Sequence, residues 1–323
     1  MKAAVYYETG SPSVFRYEEI DDPSCAPNGV VIDVEVVSIE GGDTLNRQGG
    51  PMAGSPHVVG YQCAGVICET GSDVRDRAVG QRVVCTNLHG SHAAKRAVPV
   101  NATWLIPDDL DTARAACVPI AVGTADDCLF EFGHLRAGET VLVHAGAGGV
   151  GMAAIQLAKR AGATVLATAS SAEKLERLKD YGLDHGINYA ENDFVSAARE
   201  LTGGKGPDLV VDSIGGRTLQ GSIECATYRG RIITVGGAGR DPVTPDLAPL
   251  RPANKTLTGV FLGAELALNG ERVHPMIQGH LSALSKGELA IEIDRSFPLA
   301  EAAAAHEFIE SRKAFGRVIL AVE

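Results

Sequence analysis

Gly146, Gly148 and Gly151 stand at the spacing G-x-G-x-x-G. The β-branched, apolar run Thr140 to His144 precedes them and reads as a buried strand. After them Ala153, Ala154, Leu157 and Ala158 recur at helical spacing. Strand, glycine turn and helix in that order form a phosphate-binding corner. Gly146 would turn the chain sharply off the strand, Gly148 would leave no side chain between backbone and pyrophosphate, and Gly151 would let helix and strand pack closely. The helix start adds unpaired N–H groups and a positive dipole end. The chemistry these residues can do is to hold a dinucleotide.

The tip of the next strand, 164–168, selects the dinucleotide. An NAD site places Asp or Glu there to accept from the ribose 2′-OH. This chain has Ala169-Ser170-Ser171 and then Lys174. No carboxylate repels a 2′-phosphate, and two hydroxyls with a lysine suit one. Ser170 with Glu173 also reads as a helix capping box and Lys174 as a solvated helix residue; cap and phosphate share one helix terminus, so both readings hold together. The cofactor predicted is NADPH.

These residues need elements to position them. At 323 residues the chain is long enough for two domains, and 38 glycines suit a glycine-turned α/β protein. Residues 1–120 read as short strands, 3–7, 29–38, 63–69 and 82–86, broken at Pro27-Asn28-Gly29, Gly49-Gly50-Pro51 and Gly71-Ser72-Asp73. Strands and helices alternate from about residue 121, with strands at 186–189, 208–212 and 231–235 and a helix at 194–201, which predicts a parallel sheet. Helices at 273–284 and 299–311 and a strand at 317–322 follow. The expected domains are 1–120 with 266–323, and 121–265 inserted between them, with ligand in the cleft at the carboxyl ends of the parallel strands. A net charge of −11 argues against nucleic acid or an acidic membrane surface as partner. No apolar run reaches the length of a membrane span. Without a signal-peptide core, and with seven cysteines lacking C-x-x-C pairing, the chain reads as cytoplasmic with reduced thiols.

Val58-Val-Gly-Tyr-Gln-Cys-Ala-Gly-Val66, Val79-Gly-Gln-Arg-Val83, Val122-Gly-Thr-Ala125, the 140–162 fingerprint, Ala169-Ser-Ser-Ala-Glu-Lys-Leu175 and Val211-Asp-Ser-Ile-Gly-Gly216 occur in order over nearly the whole chain. Together they resemble the medium-chain dehydrogenase/reductase superfamily, in its zinc-free, quinone oxidoreductase-like branch. The resemblance implies a GroES-like β domain, a Rossmann doubly wound parallel-sheet domain and a homodimer or tetramer, the dimer expected first, with the strand at 256–261 pairing across its interface. By position it places Thr124 at the nicotinamide-side phosphate, Gly148, Gly149 and Val150 at the pyrophosphate, and Ser170, Lys174 and Tyr189 at the 2′-phosphate end. Ser213, Gly236, Phe261, Leu262 and Gly263 follow at later strand ends and toward the nicotinamide. Arg317 or Lys313 is placed on the 2′-phosphate side.

The zinc enzymes of that superfamily carry three metal ligands that align here with Glu40, Tyr61 and Ile120, and a catalytic zinc needs three protein ligands. No metal is expected. Cys85, His89 and His92 have a spacing that either binds metal or belongs to a loop whose histidines face solvent or the cleft. Without a Lewis acid, hydride addition to a conjugated carbon is easier than alcohol oxidation, because hydrogen-bond donors can hold the charge on a carbonyl oxygen. The resemblance therefore implies quinones or α,β-unsaturated carbonyl compounds as substrates. Asp43, Leu45 and Tyr61 are the expected pocket residues. Tyr61 is either a proton donor or a packing residue under the nicotinamide, and Glu40 is a second donor if protonated. Two further readings stay open: an NADPH-binding sensor or structural protein with little turnover, and a zinc-free alcohol or ketone reductase.

Overall fold

A computed structural model describes residues 1–322. The chain divides into two compact units, one made of Met1–Gly123 with Gly263 onward and the other of Thr124–Leu262.

The first unit opens with eight strands: β1 (Lys2–Tyr6), β2 (Arg16–Glu19), β3 (Gly29–Ser38), β4 (His57–Val58), β5 (Gln62–Thr70), β6 (Arg82–Thr86), β7 (Lys95–Pro99) and β8 (Thr103–Leu105). It holds helix α1 (Gly41–Gly49) and the short α2 (Thr112–Ala115), and α3 (Pro119–Asp126) leads out of it. The second unit comprises β9 (Thr140–Val143), α4 (Gly149–Arg160), β10 (Thr164–Ala169), α5 (Ala172–Leu178), β11 (His185–Asn188), α6 (Phe194–Leu201), β12 (Leu209–Asp212), α7 (Gly216–Cys225), β13 (Arg231–Thr234) and β14 (Thr256–Gly259). After α8 (Leu262–Leu268) come α9 (Gly270–Ser285), β15 (Ile293–Pro298), α10 (Ala302–Glu310) and β16 (Arg317–Ala321), which belong to the first unit.

In the second unit six strands pair in the order β11-β10-β9-β12-β13-β14, all parallel. The central strands read Thr-Val-Leu-Val and Leu-Val-Val-Asp and are almost wholly buried, as strands covered on both faces must be. Leu142, Leu166, Val210 and Ile232 form their core with Ala198, Leu219 and Ile223 of the helices. Strand order reverses at β9, whose neighbours are β10 and β12, and open sheets of this kind bind ligands outside the carboxyl ends of the strands at that reversal.

The first unit contains a seven-stranded sheet, β15-β16-β3-β5-β6-β8 with β7 also on β3, and a three-stranded sheet, β2-β1-β4. Val30, Ile32, Ile67 and Val83 pack with Leu299, Ala302, Ala305, Val318 and Leu320, so the two ends of the chain share one core. The largely β reading of residues 1–120 misses α1. Its sequence, Gly-Gly-Asp-Thr-Leu-Asn-Arg-Gln-Gly, has three glycines, each unfavourable in a helix by about 1 kcal/mol relative to Ala. Tertiary anchors hold it. Asp43 Oδ2 accepts from the Glu40 amide at 2.8 Å, and the buried Arg47 donates to Gly10 O at 2.6 Å and pairs with Glu310 of α10.

Candidate active site

In the second unit the residues at issue fall past the carboxyl ends of successive parallel strands: Gly146 after β9, Ser170 and Ser171 after β10, Tyr189 after β11, Ser213 after β12, Gly236 after β13, and Phe261 and Leu262 after β14. Thr124 lies on α3, buried, and Lys174 in the first turn of α5.

The turn from β9 into α4 divides its work differently from the sequence reading. Ala145, not Gly146, takes the positive φ, +52°. Gly146 is needed for close approach, since a Cβ there would stand 2.9 Å from the Ala167 methyl. At Gly151 a Cβ would meet the Ala145 carbonyl at 2.3 Å. Gly148 is the N-cap of α4, in extended backbone, and a Cβ there would meet only the Ala145 carbonyl, at 3.3 Å. That opening, followed by the first amides of α4 at Gly149 and Val150, fits a pyrophosphate. At the tip of β10 the cap of α5 is Ser171, whose Oγ accepts from Lys174 N at 3.3 Å, so the capping residue is one position later than Ser170.

In the first unit the ring of Tyr61 lies against α1 where only a glycine fits: a Cβ on Gly42 would be 2.4 Å from Tyr61 Cε2. The backbone of Tyr61 is held on both sides. Its amide donates to Asp43 Oδ1 at 3.2 Å, and its carbonyl accepts from the buried Arg96 at 3.1 Å. Asn46 Nδ2 donates to the Tyr61 hydroxyl at 3.3 Å, and no acceptor for the phenolic hydrogen lies within bonding distance among the described residues. Burial, with the negative charges of Asp43 and Glu40, pushes the phenol up to about 12.

Three placements correct the sequence reading. Asp43 is fully buried and both its oxygens accept backbone N–H groups, from Glu40 and Tyr61, so it fastens α1 to the Tyr61 segment and does not line a pocket. Glu40 is 5% exposed and receives Arg317 at both oxygens and Gln62 Nε2 at one. Burial, the largest influence, leaves its carboxyl raised despite the opposing pull of Arg317 and Gln62, and three N–H donors from those two side chains occupy its oxygens as acceptors. Arg317 in turn spends its guanidinium on Glu40, Ser38 Oγ and Ile39 O, which removes it from the 2′-phosphate role. Leu45 lies on α1, partly buried.

The Cys85, His89 and His92 spacing also resolves. Cys85 Sγ faces Cys63 Sγ at 3.4 Å and Arg96 at 3.8 Å, while His92 is fully buried with its Nε2 3.1 Å from Nε2 of His306. Only His89 is exposed. Among the described residues no three His, Cys, Asp or Glu side chains gather as a metal site. Gln62, Asn46 and Arg96, which sequence reasoning did not single out, complete the Tyr61 surroundings.

Residues 26–108 match the family model Alcohol dehydrogenase GroES-like domain, and residues 149–278 match Zinc-binding dehydrogenase. A 2-haloacrylate reductase from Burkholderia sp is 34% identical over 98% of both chains, and a quinone oxidoreductase from Pseudomonas aeruginosa is 31% identical over 96% of both. The chain belongs to the medium-chain dehydrogenase/reductase family, in its quinone oxidoreductase-like branch. The crystal structure of an Escherichia coli quinone oxidoreductase complexed with NADPH superposes with a TM-score of 0.93 at 27% identity, covering 99% of this chain and all of that one. The medium-chain family includes enzymes with a catalytic zinc, and the residues at the corresponding positions here do not fit one. Glu40 is occupied by Arg317 and Gln62, Tyr61 offers a raised phenol, and Ile120 brings an apolar side chain whose backbone amide donates to Gln62 Oε1 at 2.9 Å. As a member of this family the protein is an oxidoreductase.

Proposed function

We propose that this oxidoreductase is NADPH-dependent and metal-independent, and that it reduces quinones or other α,β-unsaturated carbonyl compounds, as a homodimer. The observation that carries the reading is the buried Glu40–Arg317–Gln62 cluster, in which a guanidinium takes up the acidic group otherwise available to a metal. The names of the two relatives, a 2-haloacrylate reductase and a quinone oxidoreductase, support the substrate class, and the NADPH complex of a neighbouring fold supports the cofactor.

NADPH, when bound, supplies the hydride. The chain's own residues bind and polarise. The amides at Gly148, Gly149 and Val150 would hold the pyrophosphate beside Gly146 and Gly151. Ser170, Ser171 and Lys174, with Tyr189, would take the 2′-phosphate end, and no carboxylate stands at that strand tip. Thr124, Ser213, Gly236, Phe261, Leu262 and Gly263 are the remaining contacts of this reading. Tyr61, protonated and with its hydrogen unassigned, would donate to the carbonyl oxygen as charge develops there. The test is NADPH oxidation against a panel of quinones, enones and 2-haloacrylates in the presence of a strong chelator. Oxidation with one of these classes, undiminished by the chelator, is expected. A protein that binds NADPH but oxidises it with none of them, or that loses activity with its metal, overturns the proposal.

A further inference from the structure

His144 closes β9 immediately before the glycine turn, and the function proposed above leaves it unused. Its ring is 3% exposed and lies in a file of buried polar groups in the second unit, with Thr168, Ser222 and Asp212 each 2% exposed or less. Nδ1 is 3.1 Å from Thr168 Oγ1, and Nε2 is 3.0 Å from Ser222 Oγ. Ser222 Oγ donates to Asp212 Oδ2 at 2.7 Å, and Ala145 N donates to Thr168 Oγ1 at 3.3 Å. Asp212 Oδ1 accepts from Ile214 N at 2.8 Å and Gly215 N at 2.9 Å. The Phe194 ring covers the imidazole edge-on, 4.7 Å between centroids.

The directions of these bonds follow from hydrogen counting. Ser222 has one hydrogen, and a carboxylate oxygen 2.7 Å away claims it, although the Thr218 carbonyl at 3.0 Å is a second acceptor. The contact from His144 Nε2 to Ser222 Oγ must then be an N–H donation. Burial holds the imidazole neutral, lowering its basicity, so Nδ1 carries no hydrogen and accepts from the Thr168 hydroxyl. The Thr168 oxygen is left free to accept from Ala145. The file runs without a break from the Ala145 amide, where φ is +52°, to the amides of Ile214 and Gly215, where Gly215 has φ +77°. A wholly connected polar file inside a sheet is rigid, because every member is over-determined by its neighbours. Both of its ends are backbone turns past the carboxyl ends of strands, β9 and β12.

We propose that His144, as the neutral Nε2–H tautomer, is a positioning residue that sets the phosphate-binding turn at Ala145 and the Ser213–Gly215 turn in one geometry. This inference rests on the reading that these turns bind NADPH. Two measurements test it. In 15N-histidine spectra of the wild-type protein, His144 is expected to give a pyrrole-type Nε2 and a pyridine-type Nδ1; the reverse assignment, or a charged ring, overturns the proposal. NADPH affinity by cofactor fluorescence is expected to fall about tenfold or more in His144→Phe, as an unsatisfied buried group implies. Turnover at saturating cofactor should change little, since the lost interaction acts on binding. His144→Asn, whose carboxamide reaches the δ position, should restore the acceptor for Thr168 and with it part of the affinity. Folded His144→Phe with wild-type affinity, or no recovery in His144→Asn, sinks the inference while the cofactor reading stands. A wild-type protein that binds no NADPH removes both.

Discussion

Tyr61 receives a hydrogen from Asn46 and has its own to give. With the phenol at about 12 it stays protonated through the working range, and its donor capacity is lost only as pH rises through that value. Tyr61→Phe keeps the ring packed on Gly42 and removes the hydroxyl, both its donor hydrogen and its acceptance from Asn46. Loss of one such donor lowers turnover by about 10²–10³, so the variant is expected to bind NADPH normally and to be slower by that order on an enone. Steady-state kinetics with unchanged turnover would assign the ring to packing. Lys174 carries the second expectation. A charge-assisted hydrogen bond contributes about 1.5–3 kcal/mol, so Lys174→Ala should weaken NADPH by about tenfold or more and leave NADH nearly unaffected, as read by fluorescence titration of both. The types and spacing of these residues were legible in the sequence, because a glycine fingerprint and the lack of a strand-end acid are local signals. The uses of Glu40, Asp43 and Arg317 were not, because each is decided by a partner the sequence does not place beside it.

At the level of elements, buried charges tie the ends of the chain to its beginning. Arg317 brings β16 to Glu40 at the start of α1, and Arg47 brings α1 to Glu310 at the end of α10. Partners more than 260 residues apart leave no periodic trace, which is why α1 was read as a turn-broken segment while α4, with its continuous apolar stripe, was visible. The parallel sheet was legible from the alternation of strands and helices, and the Val-Leu-Val and Leu-Val-Val runs of β9 and β12 have the composition that burial on both faces demands. The same docking of α10 buries His306 against His92, with Phe15 stacked on one ring and edge-on to the other. Burial and the charge of Arg96 push His92 down to about 3; burial, His92 and Arg47 push His306 well below its ordinary value. Unfolded histidines titrate near 6.5, so below about that pH the unfolded chain binds more protons than the folded one. Stability should therefore be flat above this point and fall as pH drops below it, by up to about 1.4 kcal/mol per pH unit for each ring. Urea midpoints near neutrality and about two units lower, compared between wild type and His306→Leu, check this. A variant with the same pH slope as wild type would show that other groups set it.

For the molecule as a whole, the parallel sheet ends at β14, whose outer side pairs with no strand among the described residues. Thr256 N donates to Gly230 O and Val260 N to Thr234 O, so the even-numbered residues of this strand spend their backbone groups on β13. In a parallel pair the intervening residues, Leu257 and Gly259, turn theirs outward. An unguarded edge of this kind invites pairing with another chain unless charge or proline blunts it. Lys255, the nearest cation in sequence, does not serve as that guard, because its Nζ is turned inward onto Ile223 O and Glu224 O at 2.6 and 3.1 Å. Phe261, just beyond the strand, is 61% exposed. Such an edge pairs with its own copy about a two-fold axis, which uses up the β14 edge of both copies. The protein is therefore expected to be a homodimer by light scattering. Gly259→Pro removes an outward N–H without touching the bonds to β13, and a Cβ at that position meets nothing within 4 Å. It should yield a folded monomer that still binds NADPH, because the glycine turn after β9 is untouched. A Gly259→Pro protein that remains dimeric would place the subunit contact on another surface.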